Sequence, residues 1–141
     1  MRKWMGSLAV AALAAAAVLV AGERPLHAQD EEKPYDIVDG KVDQGTYNGY
    51  RRYHSQCHVC HGPDGLGSSY APSLVESLQR ISHDEFNEVV INGRQASTAG
   101  RESVMPSFGH VEDVVLYLDD IYAYLKARAD GALGRGRPQR Q

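Results

Sequence analysis

The 141-residue chain has two cysteines and no third. A structural zinc site needs four ligands, normally two cysteine pairs, so one pair argues against zinc. No strand–helix alternation flanks the pair, which argues against a thioredoxin-type redox motif. A disulfide across two intervening residues would be strained and would staple little. Long apolar runs are also missing. The longest, Leu8 to Ala21, has 14 residues, short of the ~20 a spanning helix needs. There are no internal repeats. Basic charge is in deficit: from Gln29 onward there are 17 acidic and 12 basic side chains, a net of about −5. That balance argues against a nucleic-acid partner and permits one with a basic docking patch. Methionine is scarce, at Met1, Met5 and Met105 only.

What is present centres on Cys57-His58-Val59-Cys60-His61. The Cys-x-x-Cys-His pattern is the attachment site for one covalent haem c. Two thiols three positions apart lie on one side of a helical turn, where both can add to the vinyl groups of one porphyrin. His61, directly after the second thiol, is then carried beneath the iron as proximal ligand. The N-terminus agrees with this chemistry, because such haem is attached outside the cytoplasm. Arg2 and Lys3 precede the apolar run, and small residues follow at Ala21-Gly22 and at Ala28. This is the pattern of a secretory signal peptide. Of the two cleavage positions, Ala28 fits better, since the polar stretch Gln29-Asp30-Glu31-Glu32 follows it. The expected organisation is a leader over 1–28, an acidic arm over 29–40, a single domain over 41–128 and a flexible basic tail over 129–141. The exported chain would be periplasmic, with no membrane span once the leader is removed.

Along the domain, periodicity predicts a first helix from Gln44 to Cys57, with Tyr47, Tyr50, His54 and Cys57 on one side and Gly49, Tyr53 and Cys57 on another. Glycine inside a helix costs about 1 kcal/mol relative to alanine, so Gly49 implies close approach by another element. Residues 62–69 read as a loop, and Leu74 to Ile81 as a short helix. Ser82 and Glu85 form a capping box opening a helix that stops at Asn92-Gly93. Arg94 to Val104 has no periodicity and reads as a long loop. The clearest helix carries Val111, Val114, Val115, Leu118, Ile121, Tyr122 and Leu125 on one stripe and ends near Arg128. Gly131 to Gln141, rich in Gly, Arg and Gln, reads as disordered.

With these motifs in place, the chain resembles the class I cytochromes c over roughly 41–128. The resemblance rests on Gly49, Tyr53, Cys57, Cys60 and His61, on the Ile121 and Tyr124 pair of the last helix, and on Pro72, eleven residues after His61. It implies an all-α fold, a few helices wrapped around one haem, with the first and last helices crossing at Gly49. It implies that the Pro72 carbonyl accepts the Nδ1–H of the proximal His61, a contact that orients a metal-bound imidazole. It also implies that Met105, in Val104-Met105-Pro106-Ser107-Phe108, is the sixth ligand. Pro106 biases Met105 toward an extended conformation suited to presenting its side chain. His110 is the alternative ligand. His54, His58 and His83 read as packed or surface residues, and Arg80, Arg94 and Arg101 as candidates for haem propionate contacts.

The stretches 38–43, 46–53, 57–65 and 70–74 are further similar to one group, the periplasmic cytochromes of methanol and other alcohol oxidation. Those proteins accept electrons from quinoprotein (PQQ-dependent) alcohol dehydrogenases, notably the lanthanide-dependent methanol dehydrogenases. Some relatives carry two extra cysteines that this chain lacks. The resemblance implies an electron-transfer protein, not an enzyme, with such a dehydrogenase as donor and a downstream cytochrome or oxidase as acceptor. The alternatives are a general shuttle to an oxidase, and a haem enzyme or gas sensor with an open iron position.

Overall fold

The computed structural model describes residues 32–98 and 101–141. The expected leader and the start of the acidic arm lie outside the described residues. The first helix, α1, spans Gln44–Arg52. Asp43 caps it, accepting from the Thr46 N–H at 2.9 Å and from the Thr46 hydroxyl at 2.6 Å, which satisfies donors a helix start leaves open. The helix then widens into a π-helical turn over Tyr53–Cys57, followed by the short α2 over His58–His61. The sequence periodicity predicts one unbroken helix to Cys57. At the change, His54 Nδ1 lies 2.9 Å from the Tyr50 carbonyl and the Ser55 hydroxyl donates to the Arg52 carbonyl at 2.9 Å. Side chains that compete for ladder carbonyls are a physical reason for the altered winding.

Helix α3 spans Leu74–Ser77, shorter than the predicted 74–81, and α4 spans His83–Asn92. Ser82 accepts from the Glu85 N–H at 3.1 Å, the expected N-terminal cap. The predicted loop after α4 is a hairpin, β3 (Arg94–Thr98) antiparallel to β4 (Arg101–Met105). Here β1 is Ile37–Val38 and β2 is Lys41–Val42. The hairpin escaped the sequence reading because most of its described residues cover no core: Arg94 to Ser97, Ser103 and Val104 are exposed and only Met105 at its end packs on the core, so no alternation of apolar residues marks it.

The predicted last helix is two pieces, α5 (Glu112–Leu116) and α6 (Leu118–Ala129), broken at Tyr117 with φ −118° and ψ 24°. Arg52 holds the break, its guanidinium 3.6 Å from the centre of the Tyr117 ring and its Nε 3.3 Å from Asp113. Val115, expected on the buried stripe, is exposed. Helices α1 and α6 form the heart of the fold and cross at Gly49. A Cβ there would lie 1.8 Å from the Asp120 carbonyl oxygen and 2.9 Å from the Ile121 nitrogen. Tyr53, Ile121, Tyr124 and Leu125 are buried beside the crossing.

The C-terminus differs most from expectation. The predicted flexible tail over 129–141 is an ordered strap. Leu133 is buried, and its N–H donates to the Ala127 carbonyl at 3.0 Å. Asp64 takes Arg135 Nε and the Gly136 N–H, both at 2.8 Å. The strap ends as β5 (Gln139–Arg140), parallel to β2 in a sheet ordered β1-β2-β5. Composition alone suggested disorder, but Gly131 and Gly136 supply turns at positive φ and the arginines make specific bonds. The described end of the acidic arm is tied down too: Tyr35 is buried and donates to Asp130 at 2.9 Å.

Two predictions follow from this packing. Gly49→Ala should destabilise the haem-loaded protein by about 3 kcal/mol or more, because backbone blocks the new methyl; denaturant unfolding would show it. For Asp64, burial opposes ionisation, but the Gly136 N–H, Arg135 and Arg128 outweigh it and hold the carboxyl below its usual value. A folded-state pKa below the unfolded one stabilises above the unfolded value of about 3.9 and is lost as pH falls through the folded value. Asp64→Asn should therefore lower stability at neutral pH and flatten the loss of stability on acidification below about pH 4, measured as unfolding midpoints across pH.

Candidate functional site

The two cysteines do not form a disulfide with each other. Cys57 closes the π-helical turn and is half-buried, whereas Cys60 on α2 is exposed. His61 ends α2 and is buried. The chain must reverse directly after it, and Gly62 at φ +77° allows this; a Cβ there would sit 2.8 Å from the Gly67 carbonyl oxygen. The loop then folds back on the histidine. Gly67 N–H donates to the His61 carbonyl at 2.9 Å, Ser68 N–H to Ala71 at 2.9 Å, and the Tyr53 hydroxyl to the Gly62 carbonyl. Gly67, at φ +84°, passes so close to Pro72 and Ser73 that a Cβ would meet the Ser73 nitrogen at 2.7 Å. This closure brings the Pro72 carbonyl to 2.9 Å from His61 Nδ1.

That contact fixes the tautomer. A carbonyl oxygen only accepts, so Nδ1 carries the proton and Nε2 keeps its lone pair. Burial also depresses the His61 pKa, with the Pro72 bond opposing it, and the net shift favours the neutral ring. Two thiols three residues apart, followed by a neutral imidazole with a free Nε2, are the donor set that a covalent haem c requires. The residues therefore fit the group.

Met105 ends β4, half-buried against the hydrophobic core. Its segment is fixed to the end of α4. Phe108 N–H donates to the Val90 carbonyl at 3.0 Å, Gly109 N–H to Ile91 at 3.1 Å, and the Ser107 hydroxyl also reaches Ile91. Gly93 at φ +77° makes room for this, since a Cβ there would lie 2.7 Å from the Met105 carbonyl oxygen. Sequence reasoning took Gly93 only as a helix stop and missed this second duty, along with the Tyr53–Gly62 bond. The residue types Tyr and Gly were visible, but nothing in their spacing specifies that bond.

The remaining candidates separate. His110 is exposed. His54 and His58 stack at 5.6 Å between ring centres, and His58, expected at the surface, has its Nδ1 enclosed. His83, expected to face solvent, is half-exposed, stacks on Tyr122 at 4.1 Å and pairs with Asp119 at 3.0 Å. Arg94 lies 4.0 Å from Glu85, and Arg80 is exposed; the side chain of Arg101 lies outside the described residues.

A family model described as "Cytochrome C oxidase, cbb3-type, subunit III" matches residues 45–125. Cytochrome c-553I of Paracoccus denitrificans is 49% identical over 108 residues, 76% of this chain and 48% of that protein. Cytochrome c-555 of Methylococcus capsulatus is 44% identical over 67% of this chain and 72% of that protein. The crystal structure of the c-type cytochrome XoxG from Methylobacterium extorquens AM1 superposes with a TM-score of 0.69 at 53% identity, covering 75% of this chain and 65% of that one. The chain belongs to this cytochrome c family and has the class I cytochrome c fold, with haem c as its cofactor. Its match spans about half the length of c-553I. Among the described residues no helix is long and apolar enough to cross a membrane.

Proposed function

We propose that the protein is a periplasmic single-haem electron carrier that accepts electrons from a PQQ-dependent methanol or alcohol dehydrogenase and passes them toward the respiratory chain. What supports this reading is that two side chains suited to axial ligation are each held by the fold. His61 is oriented by Pro72 at 2.9 Å, and Met105 sits on a segment held to α4. With both as ligands no iron position is left for a substrate, which favours electron transfer over catalysis or gas sensing. Haem c supplies a one-electron ferric/ferrous couple; a thioether ligand raises its potential relative to a second imidazole. The likeness to XoxG, c-553I and c-555, together with the shared stretches around the haem motif, supports the alcohol-oxidation setting.

Met105→Ala should give high-spin or water-ligated ferric iron and a lowered potential, seen in the near-infrared and visible spectra and by redox titration. An unchanged low-spin spectrum would move the ligand role to another residue.

Electron delivery needs an approach to the haem edge and a small, transient contact. The surface for it comprises Val59, Gly62, Pro63 and Ser107 to Gly109; Val59 is 70% exposed. Mixing the substrate-reduced dehydrogenase with this protein should reduce its haem within the mixing experiment. Val59→Glu should slow that reduction on the order of tenfold while leaving spectrum and potential unchanged. No reduction by the dehydrogenase would leave the general shuttle as the better reading.

A further inference from the structure

The chain is acidic overall, yet one face gathers unpaired positive charge. Arg137 and Arg140 on the C-terminal strap flank the Tyr47 ring, and Arg51 on α1 lines the same hollow as Tyr47. The guanidinium carbons of Arg137 and Arg140 each lie 5.8 Å from its centre. Arg137 also donates to the Tyr47 hydroxyl, and Arg140 to the Gln44 side-chain oxygen at 3.0 Å. None of the three arginines pairs with a carboxylate among the described residues. Arg51, Arg137 and Arg140 are all exposed. The acids nearest the strap's end are otherwise engaged. Asp43 caps α1 and accepts the Asp36 N–H at 2.8 Å, and Asp36 faces the Gln141 amide at 3.5 Å.

Between α1 and the strap the surface is concave. A hollow of about 300 Å³ is lined in part by Tyr47, Tyr50, Arg51, His54 and Arg137. A second, of about 520 Å³, runs along the strap past Arg140 and shares Tyr47 and Arg137 with the first. The two adjoin through Tyr47 and Arg137, so one open groove carries Arg51 in its first hollow, Arg140 in its second and Arg137 in both. It ends at His54, three residues before Cys57.

We propose that this groove is a docking site for an extended, carboxylate-rich segment of a partner protein. Guanidinium groups pair with carboxylates through two parallel hydrogen bonds, and three of them spaced along an open groove suit a chain of acids better than one compact ion. Charge complementarity is local: the chain is acidic overall, so an acidic segment is attracted where arginines without carboxylate partners gather. The site is separate from the Val59 surface and does not depend on the identity of the electron donor.

The test uses the haem-loaded full chain and fluorescently labelled poly-L-glutamate, followed by anisotropy. The polymer should bind at low ionic strength and weaken toward about 0.15 M salt, where screening is strong beyond ~8 Å. The variant Arg51→Gln/Arg137→Gln/Arg140→Gln should lose on the order of tenfold in affinity. The control Lys33→Gln/Leu116→Glu/Ala132→Glu, all at exposed positions, lowers the net charge by the same three and should stay within about twofold. The haem spectrum and unfolding midpoint report whether the strap variant still folds. Should it not, Arg51→Gln alone, which breaks no hydrogen bond or ion pair, should still lose about threefold. Absence of binding at low salt, or equal losses in variant and control, would overturn the proposal. Citrate competing as well as the polymer at equal carboxylate concentration would also overturn it, assigning the groove to a free small anion.

Discussion

The backbone contact between Gly49 and Asp120 is the constraint on which the rest of the molecule depends. With only a hydrogen at Gly49, α6 can lay its peptide directly on α1. Close approach buries Tyr53 and Tyr124 beside one another, 5.5 Å apart. Tyr53 then carries the geometry onward, because its hydroxyl holds the Gly62 carbonyl. Gly62 is where the chain turns back toward Pro72. The crossing of two helices thus sets the position of the loop that orients His61, although none of the crossing residues bonds to that histidine among the contacts described.

The strap works on the same loop from the other side. Arg128, buried on α6, donates to the Asp64 and Leu133 carbonyls, and Arg135 and Gly136 hold the Asp64 carboxylate. Three groups therefore converge on one residue of the haem loop, three positions after His61. A buried arginine is costly unless its donors are met. Here both ends of the guanidinium reach carbonyls, and the arrangement ties α6, the loop and the strap together.

Much of the candidate site was legible because the chemistry expected of it constrains spacing. Cys57, Cys60 and His61 must sit within one turn, and Pro72 must fall where a loop can return its carbonyl. Gly49 was legible through its cost: a glycine in mid-helix calls for a neighbour. The strap and the hairpin were not legible, for two different reasons. In the strap, stability comes from particular arginine bonds to Asp64, and composition cannot distinguish such bonds from solvated charge. In the hairpin, most of the described residues are exposed, so pairing leaves no pattern in the side chains. The break at Tyr117 was hidden for a third reason: most of the apolar spacing continues across it, and only the exposed Val115 departs from the stripe.

The attachment of the methionine segment to α4 divides the molecule in an unexpected place. Ser107, Phe108 and Gly109 share hydrogen bonds with the last turn of α4, while the adjoining hairpin pairs chiefly with itself. Local opening follows such bonded units, not chain order. Met105 stands at the junction, opposite Arg94 in the hairpin and beside Gly93 at the helix end. Substitutions further along the ladder from Met105 should therefore disturb it less. A fault in the final turn of α4, by contrast, would shift the segment that carries Met105.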